Sequence, residues 1–248
     1  MKNHPPMQSI PFLENYHPKW RPWNPVTGCT RISEGCQHCY AEKFAQRLCL
    51  MGQKKYRNGF QVTLHEDCLH EPLQWKKTKI VFTCSMGDLF HPEVPDDFLI
   101  RVFQVMNQAP QHIFQVITKR AERLASIAHK LVWGPHIWMG VTVESESQQQ
   151  RIPYLVSTPA ALKWLCIEPM LTPLPSLPLK GIHWVILGGE SGPEARPIQE
   201  RWVLEVRDQC IRAHVPFYFK QWGGRNKKTT GCQLQGREWK QFPPFPLF

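Results

Sequence analysis

Residues 79–118 read KIVFTCSMGDLFHPEVPDDFLIRVFQVMNQAPQHIFQVIT, and this stretch decides the fold class. It opens on a short apolar, β-branched run (79–84, KIVFTC) and closes on another (113–118, IFQVIT). Between them, 96–107 sets Phe98, Val102, Val105 and Met106 on one face at helical spacing. A buried strand, an amphipathic helix and a second buried strand make a βαβ unit with parallel strands. The pattern continues outward. Further strand-like runs lie at 137–143 (IWMGVTV), 162–167 (LKWLCI) and 184–187 (WVIL), with candidates at 216–220 (PFYFK) and 20–24. Helical patterns lie at 120–130, with Leu124, Ile127 and Ala128, and at 200–214, with Val203, Leu204, Val206, Cys210 and Ile211. The expectation is an α/β fold built as a partial or complete parallel (βα) barrel, with an open doubly wound sheet as the alternative. The Pro-rich stretch 169–178 reads as a loop inside one domain. The expected division is a barrel-like domain over 1–222 and a basic, aromatic appendage over 223–248.

A chain of 248 residues that is 42% hydrophobic and 20% charged can bury a large core, which excludes a disordered polypeptide. No apolar run approaches the ~20 residues of a membrane span, and residues 1–11 lack the apolar core of a signal peptide. A cytoplasmic protein without a membrane partner is expected. The net charge of +10 is uneven. Residues 1–60 carry nine Lys/Arg against three Asp/Glu, 61–200 twelve against fourteen, and 201–248 nine against three. Basic ends around a slightly acidic middle suit a polyanionic partner, DNA or RNA being the obvious one; a merely soluble basic protein is the plain alternative. The tail residues Lys220, Arg225, Lys227 and Lys228 are expected to reach the same mouth as the cysteines described next.

Nine cysteines in a reducing compartment point to metal or redox chemistry rather than disulfides. Six of them are scattered. Cys29, Cys36 and Cys39 form C-x6-C-x2-C inside WNPVTGCTRISEGCQHCYAE (23–42), a turn-rich segment running into a helix near Cys39. Three thiolates so close on a flexible loop can converge on an iron–sulfur cluster. A 4Fe-4S cube with three protein ligands keeps one iron open, and that iron can chelate the amino and carboxylate groups of S-adenosylmethionine (SAM). A single zinc ion on Cys29, Cys36, Cys39 and His38 is the alternative. His38 lies inside the CxxC pair, however, and structural zinc sites usually have a second pair downstream, which neither Cys49 nor Cys68 supplies.

Ligands of parallel α/β folds bind at the carboxyl ends of the strands. There the sequence has Ser85-Met86-Gly87-Asp88, Thr118-Lys119-Arg120, Thr142-Val143-Glu144, Glu168-Pro169 and Gly188-Gly189-Glu190. These polar groups would ring one mouth, although a solvated rim or helix caps would be polar too. Cys166 and Glu168 stand two apart and so share one side of a strand.

The cysteine segment resembles the radical SAM superfamily, whose usual loop is C-x3-C-x2-C. The longer x6 spacing between WNPVTGC and CYAE is similar to a phage-associated, functionally uncharacterised radical-SAM-like family. So are SMGDLFHPEVP (85–95), FQVITKR (114–120), GVTVE (140–144), IEP (167–169), WVILGGESG (184–192) and FKQWG (219–223). The resemblance implies a barrel of the radical SAM type with the cluster on Cys29, Cys36 and Cys39. It implies reductive cleavage of SAM to a 5′-deoxyadenosyl radical and an electron donor such as flavodoxin or ferredoxin. In the superfamily a Gly-Gly-Glu after the second strand receives the SAM amino group. Here that place falls to Ser85, Gly87 and Asp88, since Gly188-Gly189-Glu190 comes far too late. Thr118, Lys119, Thr142, Glu144, Gly188 and Gly189 complete the expected SAM pocket. Glu168 and Glu190 are expected at substrate or SAM hydroxyls, and Cys166 is a candidate hydrogen-atom donor. The substrate expected is nucleic acid, repaired or modified. A non-catalytic nucleic-acid binder with a structural zinc or iron–sulfur site is the second reading.

Overall fold

The computed structural model describes residues 20–244. Seven strands form the main sheet: β1 (Trp20–Trp23), β2 (Ile80–Thr83), β3 (Ile113–Thr118), β4 (Ile137–Thr142), β5 (Leu162–Ile167), β6 (Trp184–Gly188) and β7 (Phe217–Gln221). Every neighbouring pair is parallel and the strands lie in chain order. A doubly wound sheet reverses its order at a switch point, and this one does not. Chain order is the order of a barrel. Among the described residues β1 and β7 do not pair with each other, so the expected barrel is partial, a half-barrel.

The helices are α1 (Tyr40–Leu50), α2 (Asp96–Gln108), α3 (Ala121–Ile127), α4 (Arg151–Val156), α5 (Glu200–Arg212) and a single turn, α6 (Lys227–Thr230). In α2 the carboxylates of Asp96 and Asp97 complement the dipole in the first turn, and Phe98, Leu99, Val102, Phe103, Val105 and Met106 are buried. No periodicity announced α4, because six residues including Pro153 are too few to show one. Residues 168–183 cross from β5 to β6 without an α-helix, as the prolines imply.

Strand residues alternate between two cores. Val81, Phe114, Val116, Met139, Val141, Leu165, Leu187 and Phe219 pack with the helices. On the opposite face Trp138, Trp164 and Trp184 cluster with Ile113, Ile186, Tyr218 and Phe242. The Trp184 ring lies 6.0 Å from Trp138, 5.9 Å from Trp164 and 5.2 Å from Phe242. A side chain at Gly140 would come within 2.5 Å of the Trp164 ring, so glycine makes room for the plug. These aromatics fill the interior, and the polar strand ends remain as its mouth.

The segment after β7 packs against the same domain. Leu234 and Trp239 are buried in the main core, and backbone bonds from Phe219 N to Trp239 O (2.8 Å) and Gln241 N to Phe217 O (3.2 Å) cover the outer edge of β7. Of the tail residues expected at the mouth, Lys220 is on β7 and Arg225 is exposed in the segment after it, while the side chains of Lys227 and Lys228 lie outside the described residues. Among the described residues no helix is long and apolar enough to cross a membrane.

Candidate cofactor site at the strand ends

The cysteine loop leaves β1 and crosses the mouth of the half-barrel. Val26 and Thr27 pair with Leu64 and Thr63. Gly28 N then bonds Met86 O (2.8 Å) and Cys29 N bonds Phe60 O (3.1 Å). A single 3-10 turn, Glu34–Cys36, precedes α1, which starts directly after Cys39. The loop has little regular structure of its own, so its shape depends on what grips it.

Three strand-end carboxylates, each paired with an arginine, supply the grip. After β2, Asp88 accepts from Thr118 Oγ1 (2.7 Å), Phe90 N (3.0 Å), Lys119 N (3.3 Å) and Arg120 Nη1 (3.0 Å). Arg120 also donates to Cys29 Sγ (3.2 Å) and, through Nη2, to Thr30 O and Oγ1 (both 2.9 Å). After β4, Glu144 is wholly buried; it accepts from Arg151 Nη1 (2.7 Å) and from Ser33 Oγ, and Lys119 Nζ stands 3.7 Å away. Glu144 presses on Gly35, where a Cβ would meet its Oε1 at 2.7 Å. After β6, Glu190 accepts from Arg196 Nε (2.8 Å), Nη2 (2.6 Å) and N (2.9 Å), and its Oε2 lies 3.2 Å from His38 Nδ1. Arg196 Nη2 reaches on to Glu34 O (3.1 Å). Burial opposes ionisation of Glu190, but the Arg196 and His38 contacts prevail and hold its pKa at about 2.

Beneath the loop lies a cavity of about 470 Å³, within the range of small-molecule sites. Cys29, Cys36, Cys39, Ser85, Gly87, Asp88, Thr118, Lys119, Thr142, Cys166, Glu168, Gly189 and Glu190 all line it. Of the residues expected there, Glu144 and Gly188 are set back from the wall. On one side Glu168 accepts from Lys220 Nζ (2.8 Å) and Gln221 Nε2 (3.1 Å), and Gln221 Nε2 also meets Ser191 Oγ (2.7 Å). The oxygens of Asp88, Glu144 and Glu190 are engaged by the chain itself, and Asp88 and Glu190 also line the cavity. Lys220, expected at the mouth, lines the cavity, whereas the parts played by Arg120, Arg196, Ser33 and Gln221 are not evident from the sequence. Arg120 did stand beside Lys119 at a strand end, but nothing near Arg196 distinguishes it from a surface loop residue.

The thiols differ in character. Burial, with Asp88 nearby, pushes Cys29 up to about 11 against the opposing pull of Arg120. Burial also acts on Cys36, but Lys119, backbone hydrogen bonds at Ile32 and Ser33 and the Ser33 hydroxyl outweigh it and lower its pKa. Burial raises Cys166 to about 12, Glu168 adding to it, so it remains a thiol. Burial disfavours the charged form of Lys119, yet the Glu144 carboxylate leads the neighbouring charges that raise its pKa, so it remains a cation. An all-sulfur donor set suits iron–sulfur clusters or zinc. Among the described residues, no three His, Cys, Asp or Glu side chains are drawn together as around a single ion.

Fold and site together define an α/β half-barrel protein whose mouth is spanned by a three-cysteine loop. Residues 17–243 match the family described as protein of unknown function (DUF5131), and the chain belongs to that family. No curated protein and no solved structure matches it.

Proposed function

We propose that this protein is a radical SAM enzyme that holds a 4Fe-4S cluster on Cys29, Cys36 and Cys39 and binds SAM in the cavity beneath. The observation that carries the reading is that all three cysteines of one loop line a single strand-end cavity, the loop being held by three carboxylate–arginine pairs whose carboxylates are buried. Such a grip pre-organises ligands for a group with fixed geometry. A cube offers a separate iron to each thiolate, so its ligands stand further apart than those of one tetrahedral ion with Zn–S bonds of about 2.3 Å. Three thiols spread over the wall of one cavity suit the cube.

When bound, such a cluster supplies an open iron for SAM and the electron for its reductive cleavage to a 5′-deoxyadenosyl radical. The chain's own residues orient and exclude. Lys119 is the cation on the wall suited to the SAM carboxylate, and Glu168 is the carboxylate suited to hydroxyls or an amino group. Cys166, kept protonated beside Glu168, has the S–H needed to quench a substrate radical. The tryptophan plug closes the interior to water from below. The electron donor would be a flavodoxin or ferredoxin, the compartment the cytoplasm, and the substrate a nucleic acid, for which the basic ends of the chain argue.

Anaerobic purification and iron and sulfide analysis test the cluster. The expected content is about four irons per chain, lost in C29A, C36A and C39A and kept in C49A, C68A and C210A. Reduced protein with SAM should form 5′-deoxyadenosine. Stoichiometric zinc without iron would instead support a non-catalytic protein with a structural metal.

A further inference from the structure

The solvent side of α1 carries large apolar side chains where a solitary surface helix would be polar. Tyr40 is 61% exposed, Phe44 47%, Leu50 89% and Met51 61%. Tyr40, Phe44 and the C-cap Met51 stand four and seven residues apart, along one stripe. The opposite side, Ala41 and Ala45, is buried against Met86 and Phe60. An exposed apolar patch of this kind marks a binding surface.

The helix and the segment that follows it are cationic. Residues 40–60 hold five Lys/Arg and one Glu. Glu42 is taken by Arg31 and Lys43 by Glu194. Arg47, Lys54 and Arg57 are exposed and form no ion pair with the described residues. Tyr40 Oη donates to Ser85 O (2.6 Å), which fixes the ring while leaving it open to solvent. The same tyrosine lines the cavity. Rings held at the lip of a site and interleaved with unpaired cations suit a single-stranded nucleic acid, whose bases stack and whose phosphates seek charge. An acidic protein would use the cations and leave the fixed ring unexplained.

We infer that the exposed side of α1 is a single-strand nucleic-acid platform. Tyr40 and Phe44 stack bases, Arg47, Lys54 and Arg57 meet phosphates, and the strand is led into the mouth of the cavity. This deepens the proposal of a nucleic-acid substrate and rests on it for the meaning of the cavity.

The experiment is fluorescence anisotropy of labelled single-stranded DNA and RNA of about 15 nucleotides, with a duplex for comparison, across a salt series. The full chain is used, with iron counted in the same preparation. Phe44→Ala should weaken single-strand binding about tenfold. Arg47→Glu should weaken it too and lower the salt slope by about one. Both residues are exposed, so the thermal midpoint and the iron content should stay at the wild-type values. Absent binding at low salt, binding equal in the variants, or a preference for duplex would overturn the assignment and leave the face to a protein partner. Single-strand binding by iron-free wild type would sustain this platform while counting against the cluster, whereas iron without binding would do the reverse.

Discussion

Arg120 serves four acceptors at once: Cys29 Sγ, Asp88 Oδ2, Thr30 O and Thr30 Oγ1. A planar guanidinium can do this and an ammonium cannot. Both Arg120 and Asp88 are buried, so deleting the cation leaves a carboxylate without its counter-charge. Arg120→Met should cost about 3–5 kcal/mol in urea unfolding. Arg120→Lys should recover part of that stability but not the contacts to Thr30, and should still bind less iron than wild type. If Arg120→Lys retains full iron, the fork to the loop backbone has no part in holding the site. Asp88 has its place through this arginine; its four protein donors leave it as an anchor of the loop.

At the scale of elements, the cysteine loop is the least self-sufficient part of the chain. It has one 3-10 turn, and its Ser33 and Cys39 boundaries make no side-chain cap. Strand ends from β2, β4 and β6 hold it from three directions through Asp88, Glu144 and Glu190. At Gly35 the loop backbone lies against the Glu144 carboxylate, where a Cβ would meet its Oε1 at 2.7 Å. Glu144 is wholly buried and its other oxygen is held by Arg151, which limits its retreat. Gly35→Ala should therefore lift the loop. Iron per chain should fall sharply, while the unfolding free energy falls by only about 1–3 kcal/mol, the usual cost of overpacking. Equal iron in variant and wild type would mean that the loop tolerates displacement.

Over the whole molecule, the half-barrel divides its interior into an apolar floor and a polar mouth. The floor is built from large rings, with Trp184 touching Trp138, Trp164, Tyr218 and Phe242. Its indole also bonds Gln241 O (2.9 Å), tying the C-terminal segment to the plug. Trp184→Ala should cost about 3–5 kcal/mol by chemical denaturation. It should also loosen the segment around Phe242, seen as faster hydrogen exchange at Phe217 and Gln241. A loss below 1 kcal/mol would mean that the rings fill space without supporting the sheet.

The strands and the longer helices were legible because each carries its own periodicity. IFQVIT and IWMGVT read as buried strands, and 96–107 reads as a helix within one residue of its end. The three cysteines and the strand-end polar groups were legible from spacing and from the rule that parallel folds bind at their carboxyl ends. Helix α4 was not, for it is too short to repeat a pattern. Nor were the arginine partners of the carboxylates. Asp88, Glu144 and Glu190 look alike in sequence, and which arginine each one meets depends on how the chain folds back on itself. Arg120 meets Cys29 across 91 residues and Ser33 meets Glu144 across 111. Hydrophobic period is a local property and was sufficient for the parallel α/β class. Charge pairing at the mouth exists only once β2, β4 and β6 lie side by side, and tertiary structure alone decided it.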